Sequence, residues 1–315
     1  MTAKPRVGFI GVGLMGHGMA RNIMEKGGYK LTILGHRNRE PVDDIIKRGA
    51  EEAADPESMA ATSDVVILCL PSSAEAETIV YGERGLLGAM RSGAILIDTT
   101  TADPAVTRKM GADFAKRGVV MIDAALGRTP KEAEAGKLAT YVGGDSEVLA
   151  RVRPILECYA DTIVHCGELG AGTTCKLISN SVSIGMVALI AEAFATAAKV
   201  GADLDALSDV LGAGGAEGRT WRSIEPWIRS GDDSHLRGPI RIAAKDVRAY
   251  SRVAENAGSA IPIAQAVNQT LRLVLNHGHA DVFLPALPGI VASSTARRSS
   301  AVEKEAISAA CSIQS

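Results

Sequence analysis

Two short stretches of this chain carry residue types whose spacing could do chemistry. Lys176 and Asn180 lie four apart, early in an apolar run that follows Gly170-Ala171-Gly172, so on a helix they share one face. A lysine withdrawn from water there has its ammonium form disfavoured, and its pKa moves down toward the range where an amine exchanges protons near neutral pH. Asn180 could orient a hydroxyl or a carboxylate oxygen beside it. From spacing alone, Lys176 is equally readable as a surface lysine whose stem lies along apolar neighbours. The second stretch is Gly11-Val12-Gly13-Leu14-Met15-Gly16, which directly follows an apolar run and opens a helical one. Its glycines suit a tight turn, a close approach of backbone to pyrophosphate, and tight helix–strand packing. The helix behind it would turn its unpaired amides toward phosphate.

The dinucleotide reading makes a demand of the next strand. A site for NAD usually ends that strand with a carboxylate that binds the ribose hydroxyls. Here the segment is Leu34-Gly35-His36-Arg37-Asn38-Arg39, with no acid before Glu40. Guanidinium groups pair with a 2′-phosphate where a carboxylate would repel it. The expectation is therefore NADP rather than NAD, held by His36, Arg37 and Asn38, with Arg37 the first choice and Arg39 the second. Both arginines also read as solvated loop charges.

These residues need a frame to position them. Val7–Ile10, 31–34, 65–70, 94–97 and 119–122 are continuous apolar, β-branched runs, the pattern of parallel strands buried on both faces. Residues 139–142 and 162–165 add two more. After Gly167 the pattern becomes helical. The fold class is α/β: an N-terminal Rossmann-type doubly wound sheet over residues 1–168, then an all-helical C-terminal domain over 169–298 and a polar tail over 299–315. A long helix is expected to begin near Thr173.

The 315 residues are 46% hydrophobic and only 3% aromatic, so the core is aliphatic and Ala-rich. A formal net charge of −2 offers no electrostatic footprint for nucleic acid or an anionic membrane surface. The apolar run from Ser179 to Ala198 carries Asn180, Ser181, Ser183 and Glu192 and reads as a buried helix, not a membrane span. The N-terminus shows no signal-peptide pattern. Five scattered cysteines form no C-x-x-C pair, which suggests reduced thiols, a cytoplasmic chain and no metal site. Apolar helix faces in excess of one small domain's needs suggest a homodimer or homotetramer.

The chain resembles the β-hydroxyacid dehydrogenase family, which includes 3-hydroxyisobutyrate and 6-phosphogluconate dehydrogenases. Gly8-Phe9-Ile10-Gly11-Val12-Gly13-Leu14-Met15-Gly16 is similar to its cofactor loop, and Leu70-Pro71-Ser72 to the loop beside the nicotinamide ribose. Asp98-Thr99-Thr100-Thr101-Ala102-Asp103-Pro104 resembles its D-x-S-T-x-x-P segment, with Thr101 on the threonine that contacts nicotinamide and substrate. Gly170-Ala171-Gly172-Thr173-Thr174-Cys175-Lys176 with Asn180 resembles its catalytic helix, and Lys245-Asp246 its Lys-Asp pair near the cofactor. The resemblance implies hydride transfer between NADP and a small anionic 3-hydroxy acid or its semialdehyde, with Lys176 as general acid/base. Lys245 would lie near the nicotinamide end.

Two departures bear on the substrate. The family's D-A-P-V-S-G-G loop is here Asp123-Ala124-Ala125-Leu126-Gly127-Arg128-Thr129, and the first asparagine of its K-x-x-N-N is Ser179. A Gly-Arg-Thr loop is similar to that of sulfolactaldehyde reductases, which implies that Gly127, Arg128 and Thr129 bind the substrate anion. A 3-hydroxy amino acid is the competing substrate. Imine reduction on a related scaffold, and an inert NADP-binding interaction protein, are the alternatives in other classes; Lys176 speaks against the first, and Lys176, Asn180 and Thr101 against the second. His17 reads as a capping or phosphate-side residue, His165 as structural, and Trp221 as packing.

Overall fold

The structure, a computed structural model, describes residues 4–295; the tail expected over 299–315 lies outside the described residues. Among these, eight strands form one sheet: β1 (Val7–Ile10), β2 (Leu31–Leu34), β3 (Glu51–Ala53), β4 (Val65–Leu68), β5 (Ile95–Asp98), β6 (Val120–Gly127), β7 (Leu138–Gly143) and β8 (Ala160–Gly167). Their order is β3-β2-β1-β4-β5-β6-β7-β8. The helices between them are α1 (Gly16–Glu25), α2 (Glu40–Lys47), α3 (Pro56–Thr62), α4 (Ser73–Tyr81), α5 (Leu86–Ala89), α6 (Pro104–Ala115), α7 (Pro130–Ala135) and α8 (Ser146–Leu156). An all-helical region follows: α9 (Ala171–Val200), α10 (Leu204–Ala213), α11 (Arg219–Ser230), α12 (Ile240–Asn256), α13 (Pro262–Asn276) and α14 (Leu287–Thr295).

The apolar runs are continuous because the sheet is covered twice. Val7, Phe9, Ile33, Val65, Ile67, Ile95 and Ile97 face one core with α1, α2 and α8 residues. Their neighbours Ile10, Val66, Leu68 and Leu96 face a second core with α3, α4 and α6 residues. Successive side chains on a strand point to opposite faces, so each run serves both layers.

Two features depart from the sequence reading. β3 is an exposed Glu-Glu-Ala edge strand; a short, charged strand resists pairing with other chains and has no apolar run to betray it. β7 runs antiparallel to β6, while β8 is parallel to β7. A parallel return needs a crossover of about a dozen residues or more. The short α7 instead ends on Gly136 in the left-handed region, φ +66°, and sends the chain straight back.

The long helix begins at Ala171, two residues before the expected start, and its first turn is fixed by a side chain from β6. Asp123 is fully buried; its Oδ1 accepts from the Gly170 amide and its Oδ2 from the Thr173 amide, both at 2.6 Å. Helix N-termini leave amides without intrahelical partners, and this carboxylate takes two of them.

The described residues divide into two compact units, 4–182 with 245–261, and 183–244 with 262–295. The sequence boundary at 168 marks the change from sheet to helix, whereas the division into units comes later, inside α9. In the second unit Trp221 is buried and stacks on Phe194, ring centroids 6.3 Å apart. By length and composition α9 could cross a membrane, but Val187, Ala191 and Phe194 are buried within the chain.

Asp123→Ala is expected to strip two buried amides of their acceptor and destabilise the chain by about 1–3 kcal/mol. The check is the midpoint of urea unfolding, with Asp161→Ala on the exposed start of β8 as a comparison of smaller effect.

Candidate active site

The glycine loop has the shape a dinucleotide needs. Gly11 has φ +107°, and a Cβ on it would collide with the Cys69 carbonyl, so the turn is closed to any other residue. A Cβ on Gly13 would meet nothing within 4 Å, which leaves its backbone open to an approaching group. α1 has no side-chain cap at its N-terminus, whereas α3, α6 and α8 are each capped by an aspartate. An uncapped N-terminus behind a glycine turn fits a pyrophosphate. Leu14, in the same loop, is exposed.

At the other end of that site, the loop after β2 presents His36, Arg37 and Asn38, all exposed. Gly35, His36, Arg37 and Arg39 line a depression of about 490 Å³ with Glu52. The two arginines differ. Arg39 is taken up by Glu52 at 2.6 and 3.0 Å and by Asp43 at 2.8 Å. Among the described residues, none pairs with Arg37. Glu52 has no signature in the sequence, because an acid reaching this site from β3 does so only once the sheet has formed.

A buried polar cluster is assembled from α9, α12 and the loops after β4 and β5. Lys176 and Asn180 share a face of α9, as the four-residue spacing requires. Burial pushes the Lys176 ammonium below its ordinary pKa, Asp246 opposes that shift, and the positive charge of Lys245 adds to it. Asn180 donates from Nδ2 to Asp246 Oδ2 at 2.7 Å. Asp246 is itself buried, with Lys245 Nζ at 3.3 Å from its Oδ1. Lys245 Nζ also donates to the carbonyls of Pro71 at 3.2 Å and Thr101 at 3.3 Å. Thus Leu70-Pro71, Thr101, Lys176, Asn180 and Lys245 belong to one connected cluster.

Thr101 owes its place to the residues before it. Asp98, fully buried at the end of β5, accepts from the Thr100 amide at 2.9 Å. The Thr99 hydroxyl donates to the Leu68 carbonyl at 2.6 Å, and Leu70 N donates to Thr100 Oγ1 at 3.3 Å. Arg252 lies 3.8 Å from Asp103, a further tie from α12. Burial pushes the Asp98 carboxyl up to about 6. In sequence, Asp246 and Asp98 read only as parts of motifs; their burial, which gives them work, is a tertiary property.

The loop after β6 stands apart from that cluster. Thr129 caps α7 reciprocally with Glu132. Arg128 is the one non-glycine among the described residues in the left-handed region, φ +77°, a conformation that costs a residue with a Cβ about 1–2 kcal/mol. Its guanidinium is held by Asp161 at 2.6 Å, the Thr162 hydroxyl at 2.9 Å and the Lys137 carbonyl. These partners belong to the β7–β8 side of the sheet, and none belongs to the Lys176 cluster. His165 takes its expected structural role, bonded to the Gly144 carbonyl at 2.8 Å. His17 does not cap α1; both its nitrogens face carboxylates.

An uncapped glycine-turn helix at the head of a parallel sheet, with a desolvated lysine on a long helix after it, defines a nicotinamide-dependent oxidoreductase. Residues 6–167 match the family described as the NAD binding domain of 6-phosphogluconate dehydrogenase, and residues 170–283 that described as the NAD-binding domain of NADP-dependent 3-hydroxyisobutyrate dehydrogenase. The chain belongs to the 3-hydroxyisobutyrate dehydrogenase-like, β-hydroxyacid dehydrogenase family. It is 30% identical to the mitochondrial 3-hydroxyisobutyrate dehydrogenase of Mus musculus over 292 residues, 89% of this chain and 84% of that one. It is 31% identical to the 3-sulfolactaldehyde reductase of Escherichia coli over 261 residues, 82% of this chain and 87% of that one. A solved structure of Mycobacterium tuberculosis 3-hydroxyisobutyrate dehydrogenase with L-serine superposes with a TM-score of 0.83 at 25% identity, covering 93% of this chain and 100% of that one. The chain is thus an NAD(P)-binding oxidoreductase that acts on a small hydroxy acid.

Arg37→Ala is expected to weaken NADP⁺ binding about tenfold or more while changing NAD⁺ binding little; Arg39→Ala should weaken NADP⁺ less. Titration calorimetry with both dinucleotides checks this, and equal losses for the two would reverse the assignment.

Proposed function

We propose that the chain is an NADP-dependent dehydrogenase or semialdehyde reductase of a small anionic 3-hydroxy acid, with Lys176 as general acid/base and Asn180 as its partner. The observation that carries this reading is the desolvated Lys176 ammonium one helical turn from an asparagine whose amide is held by a buried carboxylate. Gly11, Val12, Gly13, Leu14, Met15 and Gly16 would hold the pyrophosphate, Arg37 with His36 and Asn38 the 2′-phosphate, and Leu70, Pro71 and Thr101 the nicotinamide end. The dinucleotide, when bound, supplies the hydride acceptor or donor.

The chain's own residues then handle the proton and the orientation. In the oxidising direction neutral Lys176 takes the substrate hydroxyl proton at Nζ; in reduction its ammonium returns it. Asn180 spends one N–H on Asp246, which leaves its other N–H and its Oδ1 for a substrate oxygen. Lys245, fastened to the Pro71 and Thr101 carbonyls, keeps the two loops at a fixed spacing and favours the neutral form of Lys176. Asp246 favours the charged form. The two set Lys176 between a base too strong to lose its proton and one too weak to take it.

For the substrate anion, the amides of Gly127 and Thr129 and the guanidinium of Arg128 are proposed. A substrate sulfonate or carboxylate would share or replace Asp161 on Arg128; the likeness to a 3-sulfolactaldehyde reductase supports such an anion. The L-serine that accompanies the related Mycobacterium tuberculosis enzyme supports the 3-hydroxy amino acid reading. A homodimer or homotetramer in the cytoplasm is proposed; the exposed Ile178, Val182 and Leu189 of α9 support the assembly.

Lys176→Met is expected to lower turnover about 10²–10⁴-fold with NADP⁺ affinity nearly unchanged, read by reduced-nicotinamide absorbance over a panel of hydroxy acids and by calorimetry. Full turnover in the variant would remove Lys176 from the reaction. The oxidation rate should fall on the acid side as Lys176 gains its proton. Asp246→Asn removes the anion that favours that proton, so the limb should shift to lower pH. A shift upward, or none, would contradict the arrangement. Arg128→Ala should raise KM for the anionic substrate with little change in kcat; an unchanged KM would confine Arg128 to its pairing with Asp161.

A further inference from the structure

His17 is drawn into no step above, yet it sits in a closed circuit of charge. Its Nδ1 lies 2.7 Å from Glu134 Oε1 and its Nε2 lies 2.9 Å from Asp44 Oδ2. Arg21 reaches Glu134 Oε2 at 3.1 Å, Arg48 reaches Asp44 Oδ2 at 2.7 Å and Glu25 Oε1 at 2.5 Å, and Glu25 lies 3.9 Å from Arg21. The order around the ring is Arg21, Glu134, His17, Asp44, Arg48, Glu25: cation and anion alternate without a break only when His17 is charged. Ionised carboxylates accept hydrogen bonds and donate none, so both ring nitrogens must carry hydrogen for both contacts to form.

The ring joins α1, α2 and α7. Each of these helices begins where one of the proposed binding loops ends: the glycine loop before α1, the 36–39 loop before α2 and the 127–129 loop before α7. α1 and α7 are in close contact, since a Cβ on Gly18 would strike the backbone of Ala133 and Glu134. Asn22 donates to the Ala133 and Glu134 carbonyls, Arg21 to the Glu134 carbonyl and Lys26 to the Ala135 carbonyl. Those contacts do not titrate near neutral pH; His17 alone in the ring does.

We propose that His17 is a positioning residue, an imidazolium clasp that holds the cofactor loops and the substrate loop in one arrangement and releases it as the proton is lost. The proposal rests on the functional reading of those three loops. The two carboxylates together outweigh the effect of burial and raise the His17 pKa above its ordinary value. A raised folded-state pKa means the clasp's contribution is complete below about pH 6.5 and is lost as pH climbs through the higher folded value.

The test compares the wild-type chain with His17→Gln and Glu134→Gln between about pH 6 and about pH 9. NADP⁺ affinity by calorimetry and substrate KM are expected to weaken with rising pH about two- to fivefold more in the wild type than in either variant, with kcat following one pH course in all three. The variants should sit at the weak level throughout. The His17 imidazole resonance, identified by its loss in His17→Gln, should titrate above about 6.5. A pH dependence shared by wild type and variants, or a resonance titrating no higher than an ordinary histidine, would overturn the proposal. Should His17→Gln fail to fold, Glu134→Gln and Asp44→Asn decide by the same readings. The resonance and the calorimetry need no turnover, so a failure of the assigned reaction is distinguishable from a failure of the clasp.

Discussion

The position of the Lys176 amine is set at the start of α9, by the carboxylate of Asp123, a residue far from it in sequence. Strand β6 delivers that side chain beneath the first turn of α9, where it takes the Gly170 and Thr173 amides. A helix whose first turn is held at two points can neither slide along its axis nor rotate, and the faces of every later residue follow from that phase. Lys176 and Asn180 face Asp246 for this reason. The charge itself is tolerated in a buried place because two amides answer it, even though burial raises its pKa. Asp98, its neighbour in register across β5 and β6, does the same for the turn that leads to Thr101.

The parts legible in the sequence were those carried by local pattern. Continuous apolar runs marked five of the strands, because burial on both faces leaves little room for polar alternation; β7 and β8 were marked by shorter, mixed runs. The glycine loop was legible because its steric demands fall on consecutive residues, and the Lys176–Asn180 face because a helix converts spacing into direction. What could not be read depends on partners distant in the chain. Glu51-Glu52-Ala53 looks like a helix start or a loop until β2 lies beside it. Asp246 looks like one half of a local ion pair until α9 brings Asn180 to it. Arg37 and Arg39 read alike until Glu52, thirteen residues beyond Arg39, pairs with the second of them.

Arg128 shows how a substitution can keep a backbone and alter its chemistry. The family's usual loop places glycine at this position, and the chain still turns through the left-handed region there. A side chain with a Cβ stays in that region only when its surroundings hold it, and Asp161, Thr162 and the Lys137 carbonyl do so. The same Asp161 neutralises the guanidinium. Under the proposed reading, an incoming sulfonate or carboxylate would compete with a carboxylate already in place, which would favour ligands able to accept two parallel N–H bonds. Selection of that kind discriminates by geometry more than by charge.

The distribution of ion pairs follows a related logic. Several surface pairs, such as Arg153 with Glu157 or Arg237 with Asp233, are exposed and local, and pairs of that kind contribute little. The pairs around His17 form a closed ring in which four contacts cross between segments and carboxylates are shared, so that loss of one charge unbalances its neighbours. A network of shared carboxylates responds as a unit, and its response is set by its most easily discharged member. Around α1, α2 and α7 that member is an imidazole. The glycine-loop helix is thus fixed at one end by sterics that do not vary with conditions, and along its flank by charge that does.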